Sequence, residues 1–400
     1  MVAGLSSWFT SSAILPALQD LLSLDAETAS LLAISVQIGF LIGAIGVSVS
    51  NVADTVADAR WLIAGGSVLA AVSNVLLVAS GALGIGGVLV VRAVTGVGLA
   101  LVYPIIMKVI STWFQRRRGL ALGAMVGALT VGSALPHLVR GIVFVAADCA
   151  ATDNPAACSA QNWKSVVYAT SGLTLAAGVI VLRFGALGPF AFARAVFSWS
   201  AVPDILTGPC FLPIAAYLGH MIELYAVWTW IGDFFARGAN LDPATSSFLA
   251  FAAIGVGVVG AVGGGYLADR YSRSRMTALY MLVSGSCAIL AGVSLTWAPL
   301  GVTIALCLLW GMAIIADSAQ FSACVIELAE PTQVGTALTL QLGIGYLLSA
   351  LTIYLVPVLV SAVSYTWAFA VVAPGPLVGA VLMLYLSTTP RGRAMNHGKG

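Results

Sequence analysis

Charge is the scarcest thing in this sequence. Only 8% of its 400 residues are Asp, Glu, Lys or Arg, while 60% are hydrophobic and the mean hydropathy is +1.02. Soluble globular chains carry roughly 25% charged residues, and a chain with so few could not cover its surface in water. Most of that surface must face lipid. The formal net charge is +2, and the short run Arg116, Arg117, Arg118 is the one basic cluster, so nucleic acid is excluded as a partner. Histidine is limited to three positions, and the six cysteines show no metal-ligand spacing. Neither a metal nor a cofactor is expected. Cys210, Cys287, Cys307 and Cys324 lie in apolar runs and read as small core residues. A phosphate-binding glycine loop and a serine-nucleophile elbow are also missing, since Gly84-Ile-Gly86-Gly87 is only a loop signal at a helix start. Without an ATP-binding segment, any solute movement must be driven by an ion gradient or be facilitative. No basic residue precedes the first apolar run, so a cleavable signal peptide is not expected.

What remains is apolar sequence in bilayer-length runs. They cover 2–22, 29–50, 61–81, 86–113, 119–146, 164–183, 204–232, 243–264, 276–296, 299–327, 333–361 and 365–388. The reading is an all-α membrane protein of twelve transmembrane helices. Placing both termini inside collects Arg60, Arg116 to Arg118, Arg183, Arg194, Arg270, Arg273, Arg275, Arg391, Arg393 and Lys399 on the cytoplasmic side. The other side then carries Asp20, Asp25, Glu27, Asp148, Asp153 and Asp242, with Lys164 and Arg237 as basic exceptions. This is a positive-inside split. Cys149 and Cys158 flank the polar stretch 150–157, and a disulfide is expected there if that loop is extracytoplasmic.

The chain also repeats itself. Residues 119–140 align without gaps to 335–356, with Gly119/Gly335, Leu122/Leu338, Gly127/Gly343 and Ser133-Ala134-Leu135/Ser349-Ala350-Leu351 matched 216 positions apart. Ala53-Asp54 and Arg60 match Ala268-Asp269 and Arg275 at an offset of 215. Two parallel six-helix halves imply a site between them near the bilayer midplane. The expected division is 1–183, a central cytoplasmic loop 184–203, a second bundle 204–388 and a tail 389–400.

Gly265-Tyr-Leu-Ala-Asp269-Arg270-Tyr-Ser-Arg273-Ser-Arg275 resembles the loop signature of the major facilitator superfamily. Its first-half copy, Ser50 to Arg60 with Asp54, is degenerate: Ser50 replaces glycine and Thr55 replaces the basic residue. Arg92-Ala-Val-Thr-Gly96-Val-Gly98 is similar to the family's fourth-helix motif. Gly132-Ser-Ala-Leu-Pro136 loosely resembles its antiporter motif. The runs 217–230 and 316–323 look like a bacterial subgroup, in which more residues usually precede Ser6-Ser7-Trp8-Phe9, so the first helix is expected to be incomplete. The resemblance implies two pseudo-symmetric bundles that rock about a central site, and a gating loop at Asp54, Asp269, Arg270, Arg273 and Arg275. It also implies a proton-coupling role for Arg92.

An ionisable group inside a membrane costs a few kcal/mol or more and is a functional candidate by default. The census is Arg92, His137, Arg140, His220, Glu223 and Asp317. His220 and Glu223 share a helix face. They read either as a pair that loads and releases a proton or as a hydrogen-bonded pair that only fixes the helix. Asp317, with Gln320 one turn on, either lines the cavity as a second proton site or packs helices. Arg92 either takes part in coupling or bridges to a carbonyl of helix 1 or 2. His137 beside Pro136 reads as a kink residue, and Arg140 as a snorkelling side chain. Trp8, Tyr103, Trp228, Trp230, Tyr346, Gln37 and Gln341 are further lining candidates. The first half holds the basic groups and the second the carboxylates, an arrangement that suits proton symport of a small organic anion and would equally suit a zwitterion.

The expected function is thus secondary transport of a small solute by alternating access, proton-coupled, in the bacterial cytoplasmic (inner) membrane, by a monomer that is not an enzyme. Its partners are the solute, protons and the bilayer. An efflux antiporter for drug-like compounds is the rival among transporters. A transporter-like membrane sensor is the rival from another class.

Overall fold

The structure is a computed structural model describing residues 1–50, 58–114, 118–152, 155–190 and 198–398. Asp54, Thr55, Arg116, Arg117, Asp153, Arg194 and Lys399 lie outside the described residues.

A backbone in hydrocarbon must satisfy its own N–H and C=O groups, which leaves helices or closed barrels. Among the described residues no strand forms, and nine helical segments are long and apolar enough to cross a bilayer. Two of these, 59–110 and 334–388, run for 52 and 55 residues, more than twice the ~20 needed for one crossing. Each turns back where the backbone leaves the helix, at Gly84 (φ 60°, ψ 177°) and Ser364 (φ 60°, ψ 175°). With these reversals and the shorter first helix, the chain makes twelve crossings.

The crossings are α1 (Thr10–Ala13 and Leu15–Leu22), α2 (Ala26–Ser50), α3 (Ala59–Val75), α4 (Ser80–Ala100 continued by Tyr103–Ser111), α5 (Arg118–Ala146) and α6 (Pro155–Phe184). The second half follows as α7 (Phe211–Asp233), α8 (Pro243–Gly255 and Gly257–Arg270), α9 (Arg273–Trp297), α10 (Leu300–Ala316 and Ser318–Leu328), α11 (Val334–Ala368) and α12 (Pro374–Thr388). A short α13 (Pro390–Gly398) ends the chain. Apolar side chains such as Ile42, Val90, Val145, Val179, Val259 and Val381 stand exposed around the outside. On a soluble protein such a band would drive association, whereas here it is the lipid-facing surface.

Alternating crossings put Arg60, Arg183, Arg270, Arg273, Arg275, Arg391 and Arg393 at one end of the bundle, the arginine face. Asp20, Glu27, Asp148, Arg237 and Asp242 come to the other, the acidic face. On the acidic face Cys149 and Cys158 are joined by a disulfide.

The sequence repeat recurs as packing. A Cβ on Gly96 of α4 would fall 2.0 Å from the Val36 carbonyl oxygen of α2, and one on Gly311 of α10 would fall 1.6 Å from that of Ala253 in α8. These two glycines, 215 positions apart, each let a helix pair touch backbone to backbone. Proline leaves a different mark. Pro357 lies inside α11 and has no N–H for the carbonyl of Ile353 four residues back. That carbonyl instead accepts from Trp230 Nε1 of α7 at 3.0 Å, so Trp230 is a packing residue rather than a lining one.

The halves meet along α5 and α8, where a Cβ on Gly123 would fall 2.7 Å from the Ala261 carbonyl oxygen, and by polar contacts at mid-depth and at the acidic face. Gln37 Oε1 of α2 accepts from Ser349 Oγ of α11 at 2.8 Å. At the acidic face Arg237 donates to Gln19 at 3.0 Å and Tyr354 to Glu27 at 3.4 Å.

Candidate functional site

The two ionisable residues of α7 do not pair with one another. His220 Nδ1 lies 2.9 Å from Asp317 Oδ1 of α10. Glu223 accepts from Trp310 Nε1 of α10 at 2.6 Å and from Ser284 Oγ of α9 at 2.8 Å. Helical geometry allows this, since at 3.6 residues per turn two positions three apart point about 60° away from each other. That angle sends His220 and Glu223 to separate neighbours. All three groups are 1% exposed, and His220 Nε2 has no partner. The rings of Tyr217 and Phe321 flank the imidazole at 5.8 and 5.5 Å. Asp317 itself sits at an interruption of α10, between Ala316 and Ser318.

Gln320, one turn beyond Asp317, is buried. Its side-chain oxygen accepts from Arg273 Nη1 at 3.0 Å. Arg273, with its side chain 7% exposed, also bridges to Asp269 at 3.2 Å and to Glu327 at 3.1 Å. The signature loop after α8 is therefore closed over the end of α10 by one buried guanidinium. Arg270 lies over the Tyr271 ring at 5.6 Å and reaches Tyr266 Oη at 3.5 Å. Arg275 is exposed, and its backbone N–H is capped by Ser272. In the first half, Asp58 caps α3 and pairs with Arg60, whose Nη1 also reaches the Gly185 carbonyl at 3.3 Å.

Arg92 is fully buried and faces no carboxylate within bonding distance among the described residues. Its guanidinium donates to Asn74 Oδ1 at 3.0 Å, to the Ser7 carbonyl at 3.2 Å and to the Trp8 carbonyl. The chain between Ser6 and Phe9 is non-helical, and the arginine takes up the carbonyls this leaves. Asn74 in turn donates to Thr170 at 3.2 Å and Ser171 at 2.9 Å. The helix-1 bridge is the geometry adopted.

The remaining candidates divide. Trp8, Tyr103, Trp228 and Tyr346 join Phe9, Phe40 and Tyr225 in an aromatic cluster drawn from both halves. Trp8 and Phe40 are 4.7 Å apart, Phe40 and Tyr346 5.1 Å, and Phe9 and Trp228 5.7 Å. Tyr225 donates to Tyr346 across it at 3.0 Å. Gln37 Nε2 and Gln341 Oε1 are buried without partners. His137 packs against Gly232 of α7 with both ring nitrogens unpartnered.

Four groups escaped the sequence reading. Trp310 and Ser284 hold Glu223; a buried indole N–H needs an acceptor, which is a signal once Glu223 is known. Asn74 was visible as a lone amide within an apolar run. Asp233, near the end of α7, pairs with Arg237 at 2.9 Å and accepts from Tyr365 Oη.

A sequence profile described as the Major Facilitator Superfamily matches residues 1–351. The chain belongs to the major facilitator superfamily. No curated protein matches it. Among solved structures, one described as a D-xylose-proton symporter superposes with a TM-score of 0.72 at 14% identity, covering 98% of this chain and 97% of the other. A bacterial homologue of the human lysosomal transporter Spinster, in an inward-facing and occupied conformation, gives 0.66 at 13% identity over 96% and 92%. At these identities the likeness is one of fold.

Membership of the superfamily gives the twelve crossings their meaning. The chain is a multi-pass membrane protein of the major facilitator fold, and that superfamily consists in general of carriers rather than enzymes. Its buried carboxylates Glu223 and Asp317 lie in the second half, while the first half buries His137 and contributes Arg92 as a backbone clamp.

Proposed function

We propose that the protein is a proton-coupled secondary transporter that moves a small solute across the bacterial cytoplasmic membrane by alternating access. The observation that carries this reading is the pair of fully buried carboxylates, Glu223 and Asp317. Neither faces an arginine within bonding distance among the described residues; their partners are Trp310, Ser284 and His220. A carboxylate at membrane depth without a cation is costly, and binding a proton removes the charge. Groups held this way can load a proton from one side and lose it to the other when their surroundings change. The coupling therefore falls to Glu223 and to Asp317 with His220.

Contacts from mid-depth to the acidic face, through the aromatic cluster, Gln37–Ser349 and Arg237–Gln19, support a state closed towards that face. In this reading the arginine face is cytoplasmic, and Arg273 with Asp269 and Glu327 forms the contact that must rearrange there. Trp228, Tyr346 and Gln37 line the path between the halves, and the working unit is a monomer.

The test is proton movement in proteoliposomes carrying an interior pH dye, with a panel of organic anions, amino acids and cationic drugs. Solute-dependent flux in the wild type, lost in Glu223→Gln or Asp317→Asn, is expected. Tracer uptake without proton movement would leave a facilitator and refute the coupling.

A further inference from the structure

We infer a binding site for small monocarboxylates near the acidic face, in a cavity of about 150 Å³ under Arg140. The cavity is bounded by α1, α5 and α6 on one side and by Ala236 and Pro243, at the end of α7 and the start of α8, on the other. It is separate from the Glu223 and Asp317 groups, and binding there does not depend on whether transport is proton-coupled.

The chemistry of the wall is uneven. Ile14, Val143, Phe144, Trp163 and Val166 give it an apolar surface, and Arg140 is its one cation. Among the described residues, Arg140 makes no hydrogen bond or ion pair. The acid within its electrostatic reach is Asp233, which is engaged by Arg237 at 2.9 Å and by Tyr365. A guanidinium offers five N–H donors in a planar fork. Half-buried and without a protein acceptor among the described residues, that of Arg140 keeps donors free for a ligand in the cavity. A carboxylate matches that fork in charge and geometry.

Two neighbours narrow the ligand. The Asn162 amide nitrogen donates to the Cys158 carbonyl at 3.0 Å and to Cys158 Sγ at 3.7 Å, so with both N–H groups engaged that side chain offers the cavity an acceptor rather than a second donor. Asp20, exposed at the rim, repels additional negative charge. One carboxylate on an apolar body of a few carbons fits, whereas a dicarboxylate or a phosphate dianion meets Asp20. Because both halves supply the wall, movement of one against the other would reshape the cavity.

Trp163 in the wall provides the readout. The detergent-purified full chain is titrated with 4-bromobenzoate, whose bromine quenches indole fluorescence, and with the uncharged 4-bromobenzamide. Saturable quenching by the acid, with affinity about tenfold or more above that of the amide, is expected for a charge-assisted bond. Arg140→Gln should lose that tenfold, Arg140→Lys should keep part of it, and Asp20→Asn should let terephthalate displace the probe at lower concentration. Trp163→Phe should remove most of the quenching, while unlabelled benzoate still protects the chain against thermal unfolding. Equal response to acid and amide, quenching that never saturates, or unchanged affinity in a folded Arg140→Gln chain would each overturn the proposal. If Arg140→Gln does not fold, an Arg140→Lys chain whose affinity for the acid is wholly unchanged decides against it.

Discussion

Removing His220 should damage the protein more than removing His220 and Asp317 together. His220→Leu leaves the Asp317 carboxylate, 1% exposed, without the imidazole 2.9 Å away. Breaking one side of a buried pair costs about 3–5 kcal/mol, most of it from the uncompensated charge. The double variant His220→Leu with Asp317→Leu leaves no unpaired charge, and swaps of this kind are often neutral or stabilising. The flanking rings of Tyr217 and Phe321 should tolerate the leucine. The coupling energy read from the cycle should therefore reach about 3 kcal/mol or more. Thermal unfolding of the purified chain at one fixed scan rate is the assay, since irreversible unfolding makes the transition temperature depend on rate. The expected order is wild type close to the double variant, with His220→Leu several degrees below both. A double variant destabilised by the sum of its two singles would show that the groups do not interact, and the assignment of Asp317 to His220 would fall.

Three further outcomes follow from geometry. Arg92→Gln should cost about 2–4 kcal/mol, because Asn74 and the Ser7 and Trp8 carbonyls lose their donor at roughly 1–3 kcal/mol for each buried group left unsatisfied. A thermal-shift comparison in which Arg92→Gln matches wild type would refute the clamp. Gly96→Val should abolish the folded chain, since its Cβ would sit 2.0 Å from the Val36 oxygen, while Gly46→Ala, with nothing within 4 Å, should be silent. Yield of monodisperse protein checks both. Replacing Cys149 and Cys158 with serine should cost about 2–3 kcal/mol for a closed loop of this length, with a sequence separation of 9. In the parent chain, maleimide labelling of these two thiols should appear only after reduction.

Much of the fold was legible because lipid enforces one rule on every crossing. Apolar runs near twenty residues, a positive side and an offset of about 216 between repeats were enough for twelve helices and their order. The boundary between helices 11 and 12 fell between runs 333–361 and 365–388, and the structure makes the turn there, at Ser364. The site was read less well. The ionisable residues were found because each is costly in hydrocarbon, but their partners were not, since partnering depends on which way a helix is rotated. His220 and Glu223 were paired on spacing, and the 60° between them was enough to send each to α10 or α9. Gln320, with Asp317, read either as cavity-lining or as a helix-packing residue, and it is held by an arginine of the signature loop, a contact 47 positions away in sequence. Trp310 was unreadable for a simpler reason: in an apolar run a tryptophan declares no direction.

The charge asymmetry between the halves takes on a different meaning once the partners are known. In the sequence, basic groups in the first half and carboxylates in the second suggested two walls of one anion site. Arg92, however, is spent on the Ser7 and Trp8 carbonyls and Asn74, and Asp317 is matched by His220 within its own half. Neither charge is held in reserve for the other. Arg140, by contrast, has no acceptor among the described residues; it lies three residues beyond His137 on α5, a helix interrupted in its hydrogen bonding by Pro136. If an anion is carried, its recognition and the handling of protons are thus assigned to different places, Arg140 near the acidic face and Asp317 at the break in α10. One helical turn links Asp317 to Gln320, and Gln320 to Arg273 and the loop contact with Asp269 and Glu327. A change of charge at Asp317 would therefore be felt first at the arginine face, through α10, and at Arg140 only through movement of one half against the other. Such separation predicts that Arg140 variants alter affinity for the solute while leaving proton leak unchanged, and that Asp317 variants do the reverse.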